Sequence, residues 1–143
     1  MSDLFELVER VPTVDEYQRL RDAVGWGNVN RQATEQALGN ALYSVTLTHR
    51  GVAVGCGRIV GDGGIYFYIQ DIIVLPEYQR RRQGKRIMDA VMGYLERHAP
   101  ANAFIGLMAA TGVKSFYEMY GFAERPADRP GMFRIWPGPR EGR

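Results

Sequence analysis

A chain of 143 residues with 45% hydrophobic and 24% charged side chains can bury a core without disulfides or metals, and one domain over 1–143 is expected. Its single cysteine, Cys56, excludes an intrachain disulfide, and a net charge of +2 is too small to imply a polyanion partner. No apolar run nears the roughly 20 residues of a membrane helix, and the start Met1-Ser2-Asp3-Leu4-Phe5-Glu6 lacks a signal peptide's basic and apolar stretches. A cytoplasmic protein without membrane contact is expected.

Phe5, Leu7 and Val8 read as a first short strand. Thr13-Val14-Asp15-Glu16 matches the S/T-x-x-E capping box, in which the outer two side chains satisfy each other's backbone donors. A helix should follow, with Tyr17, Leu20 and Val24 on one face and an end near Gly25. Asn30 is placed to cap a second short helix through Ala33, Ala37 and Leu38, stopped by Gly39. The period then changes. Residues 42–48 are rich in β-branched and aromatic side chains, Arg50-Gly51 reads as a turn, and Val52 to Val60 as a second strand of this run. Gly61-Asp62-Gly63-Gly64 is another turn, and Ile65 to Val74 a longer strand, completing an antiparallel meander.

Pro76 ends that strand. From about Arg81 to His98 the apolar positions Ile87, Met88, Val91, Met92 and Leu95 form one helical stripe, closed by Pro100. Phe104 to Met108 reads as a short strand, Val113 to Tyr120 as a short helix stopped by Gly121, and Phe122 and Met132 to Trp136 as late strands. Residues 137–143 read as a frayed tail. The unit 65–108 is a strand–helix–strand crossover, whose strands should run parallel. The expected class is therefore mixed α/β, an antiparallel meander passing into a parallel pair.

Arg80, Arg81, Arg82, Lys85 and Arg86 crowd together where the long strand feeds the helix. A helix start presents unpaired N–H groups and the positive end of the dipole, a natural phosphate site. Gly84 lets an anion approach the backbone, and the arginines add charge-assisted hydrogen bonds. The plain alternative is a solvated basic face. A nucleic-acid patch built on Arg80 to Arg82 is a further alternative, against which stand the lack of interleaved aromatics and the balanced charge elsewhere.

The order Val74-x-Pro76-x-x-Gln79-x-x-Arg82-x-Gly84 resembles the V-x-P-x-x-[QR]-x-x-G-x-[GA] motif of the GNAT superfamily of N-acetyltransferases. Phe116-Tyr117-Glu118-Met119-Tyr120-Gly121-Phe122 resembles that family's second signature, F-Y-x-x-x-G-F. The order of elements follows the family along nearly the whole chain. One position departs: Arg82 stands where the family has the first glycine of its phosphate loop. Its side chain either points outward and leaves the loop's donors intact, pairs with a phosphate, or blocks the loop.

The resemblance implies a GNAT fold with a splayed parallel strand pair, and an acetyl-CoA-dependent transfer of an acetyl group to a primary amine. It implies that the backbone of Ile72, Ile73 and Val74 meets the pantetheine arm, and that Gln79, Arg80, Arg81, Arg82, Gln83, Gly84, Lys85 and Arg86 hold the cofactor phosphates. Tyr117 matches the family's general acid, a phenol still protonated at neutral pH. Some members carry a glutamate at the position of Tyr68, so no base carries over. Asp71, the nearest acidic group, either accepts the amine proton or satisfies donors at the strand kink. Trp26 and Tyr68 are candidates to line the site of a small amine, whose cationic form aromatic faces would attract. No Cys or His spacing fits a metal. A homodimer is possible by family analogy, and a non-catalytic CoA-binding module is the alternative function.

Overall fold

The computed structural model describes residues 4–139. In chain order these form β1 (Phe5–Val8), α1 (Val14–Ala23), α2 (Arg31–Gly39), β2 (Tyr43–His49), β3 (Val52–Gly61), β4 (Tyr66–Val74), a 3-10 turn (Pro76–Tyr78), α3 (Gln83–His98), β5 (Phe104–Gly106) and α4 (Lys114–Glu118). The described chain divides after Met108 into two compact units.

In the first unit, the helix starts follow from local chemistry. Thr13 Oγ1 accepts from the Glu16 N–H at 3.1 Å and Glu16 Oε1 accepts from the Thr13 N–H at 2.8 Å, which closes the capping box of α1. Asn30 Oδ1 accepts from the Ala33 N–H at 2.8 Å and starts α2. The sheet runs β1-β2-β3-β4-β5, antiparallel through β4 and parallel between β4 and β5. Its core contains the fully buried Val45, Leu47, Ile59, Phe67 and Ile73, covered by Ile87, Met88 and Val91 of α3. Close packing of α3 and β4 against β3 depends on glycines in β3. A Cβ at Gly57 would stand 2.7 Å from Ile87 Cγ2, and one at Gly55 would stand 2.7 Å from the Ile73 carbonyl oxygen.

Two features of β4 prepare the ground for a binding site. Cys56 pairs with Ile73 and Arg58 with Gln70, so Asp71 and Ile72 together oppose Gly57. This is a β-bulge, and the extra residue, Asp71, stands at φ +58°. Aspartate is among the few side chains that tolerate this left-handed backbone. Second, β5 pairs only with Tyr66, Phe67 and Tyr68. Beyond Tyr68 the edge of β4 has no β5 partner, so the parallel pair parts as the fold class implied.

The second unit holds α4, whose end is closed by the Tyr120 and Phe122 N–H groups donating to the Tyr117 carbonyl at 2.9 and 3.3 Å. Phe116 makes edge contacts with Tyr117 and Tyr120, at ring separations of 5.2 and 5.6 Å. The late strands expected at Phe122 and Met132 to Trp136 do not form: no strand follows Gly106 among the described residues. A strand exists only through a ladder to a partner, and Pro126, Pro130 and Pro137 punctuate this stretch without donors. The exposed Met132, Phe133, Ile135 and Trp136 gain no burial that would fix a register. Of the expected frayed tail, residues 140–143 lie outside the described residues.

Candidate active site

The turn from β4 into α3 is built by residues that forgo ordinary backbone geometry. Arg80 and Arg82 stand at φ +63° and +62°, and Arg82 occupies the residue before the first turn of α3 without a side-chain cap. The first hydrogen bond across the helix start is from the Arg86 N–H to the Arg82 carbonyl at 3.1 Å. The N–H groups of Gln83, Gly84 and Lys85 therefore precede the intrahelical ladder. Gln79 Nε2 donates to the Val74 carbonyl at 2.9 Å and pins the turn to the end of β4. Gln83 Nε2 donates to the Arg81 carbonyl at 3.2 Å, while its buried Oε1 has no partner among the described residues.

The charged side chains here differ in how much they are engaged. Arg80, Arg81 and Arg82 are exposed, with the Arg81 guanidinium 6.0 Å from the centre of the Tyr78 ring. Lys85 pairs with Asp89 at 2.8 Å, and Arg86 Nη1 donates to the Phe5 carbonyl at 3.3 Å. Backbone donors, a positive dipole end and three exposed guanidinium groups make a donor set suited to a diphosphate. Ile72, Ile73 and Val74 lie just upstream, on the length of β4 that β5 does not cover.

On β3, β4 and α1 a second group of residues surrounds Asp71, whose side chain is 1% exposed. Its Oδ2 accepts from the Tyr17 hydroxyl and from Arg58 Nε, both at 2.7 Å, and its Oδ1 from Gln70 Nε2 at 3.3 Å. Arg21 Nη1 stands 3.9 Å from Oδ1. Arg21 also donates to the carbonyls of Trp26 and Gly27, at 2.9 and 3.2 Å. Burial and the adjacent Asp71 carboxylate push the Tyr17 phenol above its usual value, so it remains a donor. Burial and the same carboxylate push the Cys56 thiol up, and its Sγ donates to the Asp71 carbonyl at 3.3 Å. The bulge accompanies this arrangement: Gln70 and Asp71, neighbours in sequence, are hydrogen-bonded to each other through their side chains.

Of the residues expected to bind substrate, Trp26 is exposed at the end of α1, its ring centre 5.8 Å from the Arg21 guanidinium. Tyr68 is half-buried on β4, between Val60 and Gly106 in register. In the second unit Tyr117 is buried, and burial raises its phenol above the ordinary value. Tyr17, Arg21 and Arg58 did not stand out in the sequence. The signal was present at Arg58, an ionic residue within a run of buried strand positions, which calls for a buried counter-ion. No group of metal-ligating side chains occurs among the described residues, and no described helix is long and apolar enough to cross a membrane.

A family model described as an acetyltransferase (GNAT) domain matches residues 17–131. An uncharacterised N-acetyltransferase, ycf52, of Pyropia yezoensis is 31% identical over 122 residues, covering 82% of this chain and 69% of its own. A probable acetyltransferase from meticillin-resistant Staphylococcus aureus superposes with a TM-score of 0.87 at 33% identity, covering 92% of this chain and 99% of that one. A GNAT family protein of Streptococcus pneumoniae gives a TM-score of 0.77 at 29% identity, over 94% and 99% of the two chains.

Proposed function

The chain belongs to the GNAT acetyltransferase family, and from that premise we propose that it is an acetyl-CoA-dependent N-acetyltransferase acting on a small primary amine, working as one catalytic domain in the cytoplasm. The observation that carries this reading is the conjunction on β4 and α3: an open strand edge at Ile72 to Val74 leads directly into a helix start rich in donors.

Bound acetyl-CoA would supply an activated acetyl thioester. The N–H groups of Gln83, Gly84 and Lys85, with the guanidinium groups of Arg80, Arg81 and Arg82, would hold its phosphates. Arg86, Gln79 and Gln83 shape the same turn. Backbone groups of Ile72, Ile73 and Val74 would hold the pantetheine arm as an added strand, and an N–H near Val74 would face the developing oxyanion. Tyr117 Oη would donate a proton to the leaving sulfur, a role supported by the family motif and by burial that keeps the phenol protonated. Asp71 is better suited to anchoring than to accepting a proton, because Tyr17, Arg58 and Gln70 already occupy its oxygens. Trp26 and Tyr68 remain candidates for the acceptor side.

The test is release of free thiol from acetyl-CoA across a panel of amines, read with a thiol reagent, beside melting curves with and without acetyl-CoA. Turnover with at least one amine and a higher Tm with acetyl-CoA are expected. A raised Tm without turnover would favour the CoA-binding module. No interaction with coenzyme A at millimolar concentration would remove the reading altogether.

A further inference from the structure

A cleft of about 260 Å³ opens between α1, α2 and the paired strands β3 and β4. Ala33, Ala37 and Leu38 form an apolar wall on α2, and Arg21, Arg58 and Gln70 stand among the polar lining. Among the described residues that line it, none is acidic. Two guanidinium groups share one carboxylate, Asp71, which is itself enclosed, so the cleft keeps a surplus positive charge.

The two arginines are used differently. Arg21 spends its nitrogens on the carbonyls of Trp26 and Gly27 and on the Tyr17 hydroxyl, and so ties down the chain between α1 and α2. Arg58 meets Asp71 through Nε. The guanidinium also interacts with the Tyr17 hydroxyl, and its Nη1–Nη2 edge, which can pair with a carboxylate in two parallel bonds, meets no carboxylate among the described residues. Side-chain exposure of 14% means that this guanidinium is largely desolvated, where a charged partner interacts more strongly than in open water. Asn30 also lines the cleft. Its Oδ1 is committed to capping Ala33, and its Nδ2 is a further donor in the lining.

We infer that this cleft is the acceptor subsite for a carboxylate, and that the acceptor is an amine carrying a carboxylate beside an apolar body, as in an α-amino acid. The inference rests on the proposed acetyltransferase reading for the word acceptor, since Gln70 and Asp71 immediately precede Ile72 to Val74 on β4. Recognition of the carboxylate itself rests only on the cleft.

The experiment titrates the purified protein with L-leucine and with L-leucinamide, which share an amine and an apolar body, and follows binding by calorimetry or NMR. The same pair is then offered as acceptors in the thiol-release assay. Leucine is expected to bind at least 10-fold more tightly than leucinamide. Arg58→Gln should abolish that preference. Because Arg58→Gln removes the shorter of the two ion pairs of the buried Asp71 and can unfold the protein, Asn30→Asp serves as the second variant: aspartate still caps α2 but places a negative charge in the cleft, and should reduce leucine binding at least 10-fold while leaving the thermal shift by acetyl-CoA intact. Equal binding of the two compounds, tighter binding of the amide, no saturable binding of either, or an Asn30→Asp protein that binds leucine as before would each overturn the inference. These outcomes are separate from failure of the enzyme reading, which shows as absence of any response to coenzyme A.

Discussion

Arg82 sits at φ +62°, a backbone state that costs an L-residue about 1–2 kcal/mol relative to glycine. The family motif has glycine at this position, and the left-handed turn supplies the reason: the backbone must turn this way for the following N–H groups to begin α3. The arginine accepts the turn and is exposed, so it does not fill the loop from inside. Arg82→Gly should therefore raise Tm by about 3 °C per kcal/mol relieved and retain the thermal shift with acetyl-CoA; a drop in Tm would contradict the strain argument. Tyr117 makes the second prediction at this scale. Tyr117→Phe should lower kcat about 10²-fold or more with little change in KM for acetyl-CoA. Burial raises the phenol above its ordinary value, so its donor form persists to higher pH. In a wild-type pH–rate profile, the rate should climb as the amine deprotonates, with no loss due to this proton below about pH 10.

Among the elements, α1 shows how a local motif and an ion pair combine. Glu16 closes the capping box and also meets Arg10 at 2.8 Å, and the Arg10 hydrogen bond holds its carboxyl down to about 2 from 4.5. A folded-state value below the unfolded one stabilises above about pH 4.5, and that contribution is lost as pH falls toward about 2. Glu16→Gln keeps a capping side chain but lacks the charge. It should melt lower than wild type at pH 7, with the gap closing in acid denaturation curves as pH approaches 2. In β3 the constraint is space. Gly55→Ala would bring a Cβ to 2.7 Å of the Ile73 carbonyl, a backbone atom fixed in the ladder, and should destabilise by about 1–3 kcal/mol in urea melts. Helix starts and the meander were readable because caps, turns and periodicity act over a few residues. The late strands were misread because apolar alternation states what a strand would bury, not whether a partner edge exists.

For the molecule as a whole, the family match runs from residue 17 to residue 131 and so includes parts of both compact units. Dimerisation, allowed by family analogy, is a proposal at this scale. Sedimentation velocity at micromolar concentration should show a species of twice the 16.1 kDa chain mass, and a single monomer boundary would refute it. The modest net charge of +2 conceals two local excesses of positive charge. Basic side chains gather at the start of α3, and a buried carboxylate is enclosed by Arg21 and Arg58 at the cleft.

The order of elements, the basic helix start and both family motifs were contained in the sequence, because each is set by side chains within a turn or two of one another. The cluster around Asp71 was decided by tertiary structure. Tyr17, Arg58 and Asp71 lie on different elements and meet through a bulge that adds one residue to β4. Ion pairing across strands depends on register, and register is a property of the assembled sheet. The left-handed state of Arg82 belongs to the same class: its residue type argues against it, and the turn that joins β4 to α3 imposes it.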